Sequence, residues 1–378
     1  AGDRITPGQI SLVESGRSNP SMDLLEYLAN ALQTSVEYLM ESEETQAEKI
    51  CIYYEQSAET YILNEDYISA EEYIENALFY AEKYKLEYRK AKNLFLRANI
   101  CNAKNELVLA QQLYLSANVI FIKRNNFEQI IKTFLNLGKI TLSLKAYHSA
   151  ISYLKQAEKV YLYNDIGNDS LLGEIYYEMA QSYFKIDDTN KSLEYTFLAK
   201  QKFEQVQDRR EYGKSLISLS KEYNKKGDIA NAIKYSKKSL EVYKELESEK
   251  NVSSIENNLG KLFFEFDNIE EAFKHYNTAK QIRMRSNDKD VVETMLNICE
   301  GYIKIKEIEK CEKVLEEIRS LIDETNIEQV IEQNLFWYRA YIIKEMQDEA
   351  ENILLETFNL AKANGLYKKM AELSILLG

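Results

Sequence analysis

Only two prolines, Pro7 and Pro20, occur in 378 residues, so the chain from Ser21 onward lacks the residue that interrupts helices. Glycine is also sparse, at 12, and together these exclude collagen-like and proline-rich disordered classes. Four cysteines, Cys51, Cys101, Cys299 and Cys311, show no CxxC or Cys/His spacing; a disulfide scaffold and a zinc site are excluded, and no metal is expected. The two histidines, His148 and His275, have no plausible catalytic or metal partner nearby in sequence and read as ordinary helix residues. No glycine-rich phosphate loop is present, so no cofactor is expected. The many carboxylates show no spacing beyond that of helical surfaces, which argues against an enzyme. No run approaches about 18 uncharged apolar residues, and Ala1 is not followed by a basic-then-apolar leader, so a cytoplasmic location is expected. With 48 Lys plus Arg against 61 Asp plus Glu, a net charge of −13, any nucleic-acid contact must be local.

What the chain does have is a repeat. Small residues recur at Ala58, Ala98, Gly138, Ala180, Ser220, Gly260 and Cys299, with the bulky Tyr338 as an eighth member, at spacings of 40, 40, 42, 40, 40, 39 and 39. Twelve residues after each comes a second small slot: Ala70, Ala110, Ala150, Ser192, Ala232, Ala272, Cys311 and Ala350. Seven further on stand Ala77, Ala117, Ala157, Ala199, Ser239 and Ala279, then the larger Ile318 and Thr357. Turn-formers such as Asn64-Glu65-Asp66 and Lys226-Gly227-Asp228 separate the first two slots, so each unit is helix, short turn, helix. Small side chains are required because paired helices approach closely only where both are short.

This pattern resembles the tetratricopeptide repeat. It is clearest at Phe134, Leu137, Gly138, Ala150, Leu154 and Ala157, and at Leu259, Gly260, Phe263, Ala272, Tyr276 and Ala279, and the resemblance covers residues 51–366. The period is about 40 rather than the usual 34 or so, and the closing proline is absent, which predicts longer helices and looser loops between repeats. The expected fold is all-α: a right-handed superhelical solenoid of about eight tetratricopeptide-like hairpins whose first helices line a concave groove. Residues 367–378 are expected to form a capping helix. Cys299 and Cys311 fill two small slots of one hairpin and read as buried thiols, a regulatory disulfide being the alternative. In the terminal repeats, Ile318, Phe336, Trp337 and Tyr338 either bury an aromatic patch between protomers or cap their own core.

Residues 1–42 lack the small-slot register and contain both prolines. The run from Ile5 to Ser21, with Glu14-Ser15-Gly16-Arg17-Ser18-Asn19-Pro20-Ser21 at its end, resembles the second half of a repressor-type helix-turn-helix. Thr6 with Pro7 makes a helix start, Gly16 a stop, and Ser21 caps a helix over Met22 to Leu32. Thr34 to Leu39 resembles the last helix of such a head. Ala1 falls inside what is the second helix of that family, so the head is expected to be partial, its first helix missing, with residues 43–50 as linker. By resemblance, Thr6 caps the recognition helix, Gln9 and Ser11 reach base edges, and Arg17 and Asn19 contact phosphates. The alternative is a helical cap on the solenoid end.

The residue following each first small slot is Glu59, Asn99, Lys139, Gln181, Lys221, Lys261, Glu300 or Arg339, and all are polar. At 100° per residue these share the sector expected to face the groove, with Asn136, Asn224, Asn257, Asn258 and Asn297 nearby. Asn both donates to and accepts from a peptide backbone, and Lys holds a carboxylate, so the band suits an extended peptide with an acidic side chain or a free C-terminus. The alternative is an ordinary solvated helix face.

A repressor-type head joined to a 40-residue-period array resembles the quorum-sensing peptide receptors of Gram-positive bacteria, the Rap/Rgg/NprR/PlcR/PrgX group, with length and repeat number nearest the NprR branch. The resemblance implies a homodimeric or larger cytoplasmic receptor in which a short imported signalling peptide binds the groove and controls DNA binding. It also implies that Asn136, Asn258 and Asn297 contact the peptide backbone. The competing expectation is an adaptor that binds and modulates a response regulator.

Overall fold

The computed structural model describes residues 6–322 and 325–377; Ile5 of the head motif and Gly378 of the capping segment lie outside the described residues. The chain reverses at near-regular intervals, and the cause is a single left-handed residue per turn. Glu65, Lys85, Asn105, Asn125 and Lys145 have positive φ at intervals of 20 residues, as do Asp187, Gln207, Gly227, Glu247, Asp267 and Asn287. In each the backbone closes the preceding helix: the Leu86 N–H donates to the Ala81 carbonyl at 2.8 Å, and the Lys85 N–H to the Glu82 carbonyl at 3.3 Å. One residue later an Asp or Asn often caps the next helix; Asp66 accepts from the Ser69 N–H at 3.2 Å, and Asn126 from the Gln129 N–H at 3.1 Å.

The described residues form twenty helices and no strand. The head comprises α1 (Pro7–Glu14), α2 (Met22–Ala31) and α3 (Val36–Met40). Eight hairpins follow, in tetratricopeptide fashion. They are α4 (Glu43–Leu63) with α5 (Tyr67–Lys83), α6 (Glu87–Ala103) with α7 (Leu107–Lys123), and α8 (Phe127–Ser143) with α9 (Tyr147–Asn164). Next come α10 (Asp169–Lys185) with α11 (Thr189–Gln205), α12 (Arg209–Lys225) with α13 (Ile229–Glu245), and α14 (Glu249–Glu265) with α15 (Ile269–Arg285). The last are α16 (Val291–Lys304) with α17 (Ile308–Arg319) and α18 (Ile327–Ile343) with α19 (Gln347–Ala363), before the capping α20 (Tyr367–Leu377).

Two compact units divide the chain, 1–166 with the head and three hairpins, and 167–378 with five hairpins and α20. The division falls where successive first slots, Gly138 and Ala180, stand 42 residues apart; there Asp165 and Gly167 both take positive φ. Within each unit, successive helices pack pairwise, and first helices also approach one another directly, α4 on α6 in the first unit, α14 on α16 and α16 on α18 in the second.

Two expectations are corrected. Residues 43–50 are not a linker: Ser42 caps a helix that runs through them into the first hairpin, with Ala47 and Cys51 both buried on it. The connections between repeats are looser only in part: those at 165–168, 286–290 and 320–326 are longer than the three-residue turns within hairpins, and the other four are not. Residues 84–86 between α5 and α6 make the same three-residue left-handed turn as residues 64–66 between α4 and α5. Most helices of the hairpins are 17 residues long, and that length accounts for the long period.

The small slots are the core. Ala58, Ala98, Ala180, Ala70, Ala110, Ala150, Ala77, Ala117, Ala157 and Ala199 are fully enclosed. At Gly138, a Cβ would stand 2.6 Å from Leu154 Cγ, so glycine there permits the close approach of α8 and α9. Cys299 and Cys311 are buried free thiols, with Cys299 Sγ 4.0 Å from the Cys311 carbonyl. Ile318 is fully buried, and the half-buried Phe336 and Trp337 pack on the same cluster while Tyr338 packs on the next. No helix among the described residues is long and apolar enough to cross a membrane.

Candidate functional site

The polar row on the first helices is present, and much of it is already paired. In the first unit Glu59 on α4 meets Lys92 Nζ of α6 at 2.6 Å. Asn99 on α6 and Asn136 on α8 share one partner, the buried Tyr114 of α7: its hydroxyl donates to Asn99 Oδ1 and accepts from Asn136 Nδ2 at 3.2 Å. Lys139 lies half-buried one turn further along α8. The two asparagines therefore tie neighbouring hairpins together.

In the second unit Gln181 Nε2 on α10 donates to Ser218 Oγ at 2.9 Å, and Asn297 Nδ2 on α16 donates to Asn257 Oδ1 on α14 at 3.1 Å. Asn257 is buried rather than facing open space. Lys261 Nζ holds Glu293 at 2.6 Å, and Arg339 grips Glu300 through both Nη atoms, Nη2 to Oε1 at 2.9 Å. Each joins a first helix to its neighbour. A carboxylate of this chain already occupies both cations, so a ligand carboxylate has to displace it.

Lys221, Asn224 and Asn258 differ. None makes a side-chain hydrogen bond or ion pair among the described residues. Lys221 is exposed on α12, Asn258 half-buried on α14, and both line a pocket of 120 Å³ with Ile217, Ser220, Ser236, Asn251, Ser254 and Ile255. That is below the roughly 300 Å³ at which small-molecule sites begin, and suits a single side chain. A larger opening of 860 Å³ in the same unit, bordered by Arg283, Asn287, Lys289, Asn326 and Gln329, contains none of the residues expected to bind peptide.

Two buried carboxylates were not singled out by sequence. Glu222, next to Lys221 but facing inward, is pushed up to about 7 by burial, with Thr196 opposing. Glu55 is likewise raised to about 7 by burial, against the pull of Arg89, whose Nη1 lies 3.1 Å away. His275 has a partner that its sequence neighbourhood does not reveal, Glu256, at 2.6 Å from Nδ1. A signal for one ion pair does exist in the sequence: the opposite charges of Glu300 and Arg339 stand 39 residues apart, one period.

In the head, α1 begins and ends at the residues expected, Thr6 capping it and Gly16 turning it off at φ 68°. The Thr6 and Gln9 side chains are spent on that start. Gln9 Oε1 accepts from the Thr6 N–H at 3.0 Å, and Thr6 Oγ1 accepts from the Gln9 N–H at 3.4 Å, the reciprocal capping box. Ser11, Arg17 and Asn19 are exposed, and α1 buries no residue. Among the described residues no group of three or more His, Cys, Asp or Glu is placed to hold a metal ion.

These features define an all-α protein of stacked tetratricopeptide-type hairpins, and comparison with known proteins agrees. The tetratricopeptide repeat family matches residues 222–285. Kinesin light chain-related protein 2 of Arabidopsis thaliana is 22% identical over 194 residues, 50% of this chain and 29% of that protein, so the match spans less than a third of the relative. Among solved structures, the apo form of RapI has a TM-score of 0.51 at 17% identity, covering 65% of this chain and 96% of that one. The apo quorum sensor NprR from B. thuringiensis also has a TM-score of 0.51, at 13% identity over 86% of this chain and 96% of that one. A STAND signal transduction ATPase with a tetratricopeptide repeat sensor from Pyrococcus horikoshii has a TM-score of 0.55 at 13% identity, covering 98% of this chain and 72% of that one. At such identities the likeness is one of fold.

Proposed function

We propose that the protein is a cytoplasmic peptide-responsive transcriptional regulator, in which a short peptide with a free carboxylate binds the first-helix face of the second unit and controls DNA binding by the head. The observation that carries this reading is the contrast within the polar row. Lys221 and Asn258 stand unpaired around a pocket while most of their neighbours are engaged by the fold. A cation and a bifunctional amide beside a side-chain-sized pocket are what an extended peptide end requires. Asn224, one turn beyond Lys221, extends the same surface. Ser11, Arg17 and Asn19 remain available for phosphate and base contacts, and the repeat fold is shared with the quorum sensor NprR.

The test is thermal-shift titration with short peptides ending in free carboxylates. Saturable stabilisation is expected, weakened about tenfold by Lys221→Ala or Asn258→Ala, the worth of one charge-assisted hydrogen bond. Asn136→Ala is expected to lower stability without changing peptide affinity. No shift with any peptide in a well-folded sample defeats the reading. If peptide binds but a protein with the complete head shows no salt-dependent operator affinity, the adaptor for a response regulator takes its place.

A further inference from the structure

In a chain that is 29% charged, helix α7 is anomalous: Leu107 to Ile122 contains no charged residue. Its polar residues, Gln111, Gln112, Ser116 and Asn118, are all neutral, and a helix so poor in charge is normally buried over most of its surface. Here one side is. Ala110, Tyr114, Ala117 and Phe121 lie in the core, while the opposite face shows Val108, Leu115, Val119 and Ile122 to solvent, within a 60° arc at 100° per residue. The equivalent positions one repeat earlier on α5 add Ile68 and Phe79, also exposed. Together these side chains offer on the order of 600 Å² of apolar surface, near the roughly 800 Å² that each partner contributes to a stable interface. All lie in the first unit.

The flanks of this stripe carry opposite charge at the same repeat position. On α5, Glu75 corresponds to Leu115; on α9, Lys155 does. Glu75 has only a loose pair with Arg97, at 3.8 Å, and Lys155 has no ion pair among the described residues. A stripe with acid on one side and base on the other is complementary to itself under one operation, a two-fold axis along α7. That axis lays α7 parallel to its copy and brings α5 of one chain opposite α9 of the other, so that Glu75 faces Lys155. A two-fold perpendicular to the helices would set Glu75 against Glu75. In a chain of net charge −13, an uncharged helix is also where two copies meet with least repulsion.

We propose that the outer face of α7 is the interface of a homodimer whose two-fold axis runs along that helix, with Glu75 and Lys155 pairing reciprocally across it. Sedimentation velocity over a concentration series tests this. The wild type is expected to dimerise reversibly, and Val119→Glu, at an exposed position, to raise the dissociation constant about 100-fold or more with unchanged circular dichroism. Ile375→Glu, at a still more exposed position in the other unit, is the control expected to leave assembly unaltered. Glu75→Lys and Lys155→Glu are each expected to weaken the dimer about tenfold, and the double exchange within one chain to restore it, because the restored pair forms between copies. A wild type monomeric throughout, including one that instead binds lipid vesicles, overturns the proposal. So does a dimer that survives Val119→Glu, or a double exchange that fails to rescue.

Discussion

The Thr196 hydroxyl on α11 donates to Glu222 Oε1 on α12 at 2.6 Å, while Glu222 Oε2, equally enclosed, has no partner. One hydrogen bond does not replace the water that a carboxylate loses on burial, and this is why the group is pushed up to about 7. Its stabilising influence is therefore fully present below the ordinary carboxylate value of about 4.5 and lost as pH rises through 7, the reverse of a salt-bridged acid. Stability to urea is expected to fall by up to about 3 kcal/mol between pH 5 and 8 from this residue. Glu222→Gln should flatten that part of the profile. A wild-type curve as flat as the variant's contradicts the burial argument.

Gly138→Ala is expected to destabilise the protein by about 1–2 kcal/mol: overpacking costs roughly 1–3, and the helix-propensity gain returns less than 1. The added methyl meets Leu154, which is fully buried and cannot swing aside. Gly8→Ala in α1 is the contrasting case, with nothing within 4 Å of the new carbon, and is expected to be neutral or slightly stabilising. Equilibrium unfolding in urea measures both.

The turns make a paired prediction. Lys145 sits at φ 60° and Gly227 at φ 78° in equivalent turns. Lys145→Gly is expected to gain about 0.5–1 kcal/mol by relieving a side chain from the left-handed region, and Gly227→Ala to lose about 1 kcal/mol by imposing one. Thermal unfolding that shows equal responses at the two sites argues against the turn geometry.

Tyr114→Phe removes the hydroxyl shared by Asn99 and Asn136. Two half-buried amides then lose a partner, for an expected cost of about 1–2 kcal/mol, while affinity for any peptide that binds the second unit stays unchanged. A loss of affinity at unchanged stability would return Asn136 to the binding surface.

Sequence periodicity exposed the hairpins because close helix packing forces the same residue sizes at the same places; Gly138 and Ala150 could hardly be anything larger. Capping was equally readable, at Thr6 and Ser21, since it depends on neighbours in the chain. Residues 43–50 read as a linker because they carry no small slot, although Ser42 before two glutamates marks a helix start. The candidate site was legible as a polar row and illegible as a set of pairs. Whether Arg339 is offered to a ligand or held by Glu300 depends on contact between helices, which a residue-by-residue reading of one face does not contain. The same applies to Glu222, whose burial depends on Thr196 of the previous hairpin.

Every turn within a hairpin has three residues, whereas the connections at 165–168, 286–290 and 320–326 are longer, so the joints of the array lie between hairpins. Under a stretching force the array is expected to yield hairpin by hairpin, each rupture releasing roughly 140 Å of extended chain. The irregular step at Asp165 and Gly167 is one place where such a pull finds a break in the rhythm. A force-extension trace would then carry nearly evenly spaced teeth, interrupted at the longer connections, a mechanical record of the repeat count written in chain length.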